Sequence, residues 1–118
     1  MGNATDFGDL TGGNYRAAAL ANATRGLVLG GHISGSPIIY IDYFTIASAG
    51  NATDFGDLTA ASDNLSGGVA SATRGVVGFV ADNNTMEYVT IDSAGNDTDF
   101  GDLTAANGLG SGTSDYNV

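Results

Sequence analysis

Three aspartate pairs, Asp6/Asp9, Asp54/Asp57 and Asp99/Asp102, are the residues whose type and spacing most suggest chemistry. Clustered carboxylates offer the hard oxygen ligands that Ca²⁺ takes, which makes Asp54, Asp57, Asp99 and Asp102 candidate calcium ligands. Calcium-binding nonapeptide repeats, however, bring glycine and aspartate back about every nine residues. Here the pairs return at intervals of 48 and 45 residues. The competing reading is structural: each aspartate caps a turn through its own backbone and pairs with arginine, and no metal or cofactor is bound.

Few other side chains invite chemistry. Arg25 and Arg74 hold equivalent places in a chain with three arginines and no lysine. A guanidinium forks onto a carboxylate as lysine does not. Both are therefore expected to grip an aspartate of their own or the next unit, with an anion or glycan contact as the alternative. His32 is the single histidine, and there is no cysteine. Without a partner set no catalytic role follows, so His32 is expected in an exposed loop and the chain is expected not to be an enzyme. Gly12-Gly13 and Gly67-Gly68 lack the lysine and hydroxyl residue of a phosphate loop and read as close-packing sites. Tyr15, Tyr40, Tyr43, Tyr88 and Tyr116 could stack on sugars, but most fall in strand-like segments and are expected in the core. The glycosylation sequons at Asn3, Asn22 and Asn51 follow from an Asn- and Thr-rich composition.

A repeat positions these residues. The string Gly-Asn-Ala-Thr-Asp-Phe-Gly-Asp-Leu-Thr stands at 2–11 and 50–59, and returns at 95–104 with Asp97 in place of alanine. Two units between the copies align residue by residue, from Ala23-Thr24-Arg25-Gly26 on Ala72-Thr73-Arg74-Gly75 to Tyr43 on Tyr88. The first unit is four residues longer at Gly31–Tyr40, which marks an insertion-tolerant loop.

Each unit holds four strand-like segments. A small-residue stretch (Arg16–Leu20 or Leu65–Ala70) suits an innermost strand. An unbroken apolar run (Gly26–Leu29 or Gly75–Val80) suits a strand buried on both faces. A β-branched and aromatic segment follows (Ile38–Ile46 or Met86–Ile91). Last comes Asp-Phe-Gly-Asp-Leu, whose charges suit an outer edge. The expected division is a lone outer strand at 1–11, one unit at 12–59, a second at 60–104, and a partial first strand at 105–118.

The composition agrees with an all-β chain. Nineteen glycines and one proline in 118 residues disfavour helix, where an interior glycine costs about 1 kcal/mol relative to alanine. A net charge of −10 leaves no basic patch for nucleic acid or an anionic membrane. No apolar stretch is long enough to span a bilayer, and no basic, apolar leader opens the chain.

The pattern Arg25-Gly26-Leu27-Val28-Leu29-Gly30-Gly31, Tyr40-Ile41-Asp42-Tyr43 and Phe55-Gly56-Asp57-Leu58-Thr59 resembles a kelch-type propeller blade. Such blades carry a double glycine after the second strand, a tyrosine in the third and an aromatic before the fourth. The ten-residue string and the Thr-Arg-Gly and Ile-Asp-Tyr strings are similar to kelch-like repeats in structural proteins of tailed phages, especially marine and cyanobacterial ones. The resemblance covers nearly the whole chain. Phe79-Val80 replaces the second double glycine, and Phe55 and Phe100 replace the usual tryptophan.

The resemblance implies four-stranded β-propeller blades, about two per chain, with Arg25, Arg74, Phe55 and Phe100 as structural residues. It implies a phage-type structural or appendage protein, in the virion or released by host lysis. Two units fall short of the roughly three that a stacked array needs. Completion by homo-oligomerisation is therefore expected, as a trimer with six blades or as an open filament. A lectin-like, glycan-binding attachment module is the alternative function.

Overall fold

The computed structural model describes residues 2–62, 65–78, 80, 83–106 and 112. Its regular structure is all-β, without an α-helix among the described residues. The first unit contributes β1 (Ala18–Ala21), β2 (Arg25–Leu29), β3 (His32–Ile33), β4 (Ser36–Thr45) and β5 (Thr53–Ser62). The second contributes β6 (Ser66–Ala70), β7 (Arg74–Gly78), β8 (Thr85–Thr90) and β9 (Thr98–Asp102). Each unit is an antiparallel meander. The strands run β1-β2-β4-β5 in one sheet, with β3 also on β4, and β6-β7-β8-β9 in the other.

The apolar runs form the buried middle of each sheet, as their lack of polar alternation predicts. Leu27, Leu29 and Ile41 are fully buried in the first unit, as are Val77 and Ile91 in the second. Each such side chain stabilises by about 1.5–3 kcal/mol. One continuous core joins the two units. Leu20 on β1 lies over Gly68 and Gly75 of the second unit, where an added Cβ would stand 2.8 and 2.6 Å from its side chain. The small-residue strand thus serves close approach between sheets. Gly112 stands to Val69 as Gly68 stands to Leu20, with an added Cβ again 2.8 Å from the side chain. The rest of the expected partial strand at 105–118 lies largely outside the described residues, as do Phe79 and Tyr116.

Several expectations are revised. The supposed insertion loop is a hairpin: β3 returns on β4 through Ser34 and Gly35, whose φ of 53° and 84° fit the mirror-image turn that matches strand twist. His32 is therefore a half-buried strand residue, with Tyr15 Oη 3.1 Å from its Nδ1. Gly30 and Gly31, at φ 60° and 101°, end β2 where side chains would strike Leu65 and Asn14. Tyr15 and Tyr40 are half exposed rather than core. Residues 2–11 form no strand of either sheet, and β5 runs past the expected boundary at 59 to Ser62.

Candidate functional site

The three strings occupy related places, and each of the first two touches the next. The 2–11 string lies against the start of the 50–59 string: Gly50 N–H donates to Phe7 O at 2.7 Å, and Ala52 N–H to Asp9 O at 2.8 Å. The 50–59 string meets the 95–104 string identically, with Gly95 N–H to Phe55 O at 2.7 Å and Asp97 N–H to Asp57 O at 3.0 Å. In each pair an asparagine side chain accepts an amide, Asn51 from Asp9 at 3.0 Å and Asn96 from Asp57 at 3.1 Å. Gly8 and Gly56 have φ of 144° and 152°, and a Cβ on either would collide with the following string's glycine carbonyl. The glycine is required by that approach as much as by its conformation.

The second and third strings also carry a bulge. Register slips so that Phe55 is extra between Asp54 and Gly56, and Phe100 is extra between Asp99 and Gly101. A bulge re-aims a side chain, and here it turns phenylalanine onto tyrosine. Tyr43 and Phe55 meet edge to face at 6.0 Å, as do Tyr88 and Phe100 at 6.1 Å. Arginine lies over the same tyrosine ring, Arg25 over Tyr43 at 4.4 Å and Arg74 over Tyr88 at 4.5 Å. The expected carboxylate fork is replaced by this cation–π contact, and Arg25 also donates to Ile91 O at 3.0 Å.

The candidate calcium ligands do not converge. Among the described residues no three carboxylates or histidines come together. The paired aspartates serve backbone instead: Asp6 Oδ1 accepts the Gly8 amide at 3.2 Å and Asp99 Oδ1 the Gly101 amide at 3.0 Å. Asp54 lies opposite Asp42 in the ladder, and Asp102 opposite Thr85. Asn22, a sequon residue, is 7% exposed. It ties the β1–β2 turn to the second unit through Ala72 O and Asp92 Oδ1 at 3.0 and 2.9 Å.

Two buried carboxyls escaped the sequence reading. Asp42 accepts the Thr11 amide at 2.9 Å and its hydroxyl at 2.7 Å. Glu87, its counterpart, accepts the Thr59 amide at 3.3 Å and hydroxyl. The last threonine of one string thus clamps the third strand of the next unit. Asp97, the one residue that breaks the string's identity, is 8% exposed and neither carboxyl oxygen has a hydrogen-bond partner. Burial and the neighbouring Glu87 carboxylate push its carboxyl up to about 8, with Asp57 adding to the rise and the Thr59 amide opposing it. Identity of the strings was the available signal, and a lone glycine in a strand pattern marks a bulge or close approach.

No known family model matches this chain, and no curated protein matches it. The arrangement defines an all-β repeat whose recurrent feature is a joint between units.

Proposed function

We propose that this chain is a non-enzymatic structural scaffold of kelch-like propeller blades, completed by association with further copies of itself. The observation that carries the proposal is an aromatic side chain of the second unit that stays exposed while its counterpart in the first is buried. Phe55 is 3% exposed beneath its neighbour, whereas Phe100 is 48% exposed beside a groove lined by Val69, Val76 and Arg74. The four-stranded meanders and the close packing of small-residue strands support the blade reading. A trimer would supply six blades, and an interface that fails to close would grow a filament. The kelch-like phage resemblance favours an appendage protein, in the virion or released by lysis.

Absolute mass by light scattering after size exclusion tests this. A discrete species near three times 11.8 kDa supports the closed ring, and a polydisperse growing species supports the filament. A monomer at every concentration overturns self-assembly. The half-exposed rings of Tyr15 and Tyr40 favour a second reading, a glycan-binding attachment module. Retention on host polysaccharide that is lost in a Tyr15→Ala/Tyr40→Ala variant would support it.

A further inference from the structure

We infer that Asp99-Phe100-Gly101-Asp102 is a docking edge for the Gly2-Asn3-Ala4 segment of a second copy of this chain. The joint presupposes the self-assembly proposed above and gives it a specific contact. Copies would meet head to tail through the contact that already links string to string within one copy.

The acceptor is prepared for it. The Phe-Gly-Asp of the third string matches Phe7-Gly8-Asp9 and Phe55-Gly56-Asp57 residue for residue. Its Asx turn is formed, with Asp99 Oδ1 on the Gly101 amide at 3.0 Å. Gly101 has φ 133°, close to the 144° and 152° of Gly8 and Gly56. In front of those two glycines stands the next string's glycine carbonyl, but a Cβ on Gly101 would meet nothing within 4 Å among the described residues.

The donor is equally prepared. Gly2-Asn3-Ala4 repeats Gly50-Asn51-Ala52, and it is exposed, with open space around Gly2. By the two precedents, Gly2 N–H donates to Phe100 O, Ala4 N–H donates to Asp102 O, and the Asn3 side chain accepts the Asp102 amide. Ala4 brings no carboxyl into the joint, unlike Asp97 in the second precedent. What opposes association is charge, because the chain carries −10 and both strings bear aspartates. Salt screens such repulsion over about 10 Å at 0.1 M, so association strengthens as salt is raised.

The test uses the full chain in sedimentation velocity over a concentration series, as wild type and as Asn3→Ala. The Asn3 side chain has no partner among the described contacts, so the variant leaves the fold intact. One lost interfacial hydrogen bond of typical strength weakens association about tenfold. In parallel, a peptide of residues 2–7 is added to dilute chain while backbone amides are followed by NMR. The expected result is weakened self-association for Asn3→Ala and a peptide-induced shift at the Asp102 amide. If wild type and variant associate equally and the Asp102 amide does not move, the joint is wrong and self-assembly stands. A wild type that stays monomeric throughout, with no peptide shift, overturns both.

Discussion

The two units share their local chemistry and differ in what covers it. Tyrosine contacts both an arginine and a phenylalanine in each unit, at distances equal within 0.1 Å. Yet Phe55 lies in the core and Phe100 faces out. Arg25 is half-buried and reaches the Ile91 carbonyl of the neighbouring unit, whereas Arg74 is exposed. Asn22 closes its turn and crosses to the second unit, while Ser71 at the same place closes only its own turn through the Thr73 and Arg74 amides. Local sequence builds the cluster, and a neighbour decides how much each member contributes to stability.

That contrast can be broken most sharply at the phenylalanines. Phe55→Ala should destabilise by about 3–5 kcal/mol, the range for a buried aromatic, and Phe100→Ala by about 1 kcal/mol, read as urea-unfolding midpoints at low protein concentration. Equal losses would mean that Phe100 is covered in the monomer.

The glycines offer the next largest difference. Alanine at Gly56 or Gly101 suffers similar backbone strain, since φ is 152° and 133°, but only at Gly56 does the Cβ strike backbone. Overlap of this kind costs typically 1–3 kcal/mol. Gly56→Ala should therefore be the more destabilising by about 2 kcal/mol in the same assay.

Asp97 distinguishes the units through pH. Its carboxyl titrates at about 8 in the folded chain against an ordinary value of 3.8, so folding takes up a proton between those values. The stabilisation from its protonated form is complete below pH 3.8, declines as pH rises, and is gone above about pH 8, at a slope of roughly 1 kcal/mol per pH unit. Asp97→Ala restores the residue at positions 4 and 52. The stability difference between variant and wild type should grow in the variant's favour from pH 5 to pH 8, and a difference that is flat with pH would reject the buried carboxyl pair.

The smallest expected effect is at the turns. Asn22→Ala removes bonds to two units and should cost about 2 kcal/mol, while Ser71→Ala should cost about 1 kcal/mol or less. Hydrogen exchange at the Arg25 and Arg74 amides would show whether each turn opens alone.

Much of this was legible because repetition fixes pattern. The apolar runs at Gly26–Leu29 and Gly75–Val80 named the central strands, and two aligned units implied two equivalent sheets. Of the paired aspartates, Asp6 and Asp99 each accept the glycine amide two residues on. The bulge at each phenylalanine was marked only by the glycine after it, since a one-residue slip in pairing leaves no trace in hydrophobic alternation. Nor was the hairpin at Ser34-Gly35, where a length difference reads as a loop whatever its conformation.

By itself the sequence determined periodicity, strand identity and the absence of a lysine- or cysteine-based site, because these depend on residue type and neighbours along the chain. Tertiary structure alone decided that Thr11 clamps Asp42, that Arg25 sits on Tyr43 rather than on a carboxylate, and that Asp97 is buried beside Glu87. Those outcomes depend on which surfaces meet across 10 to 31 residues of chain. Identical strings can be covered or open, and only the packing of one unit on the next says which.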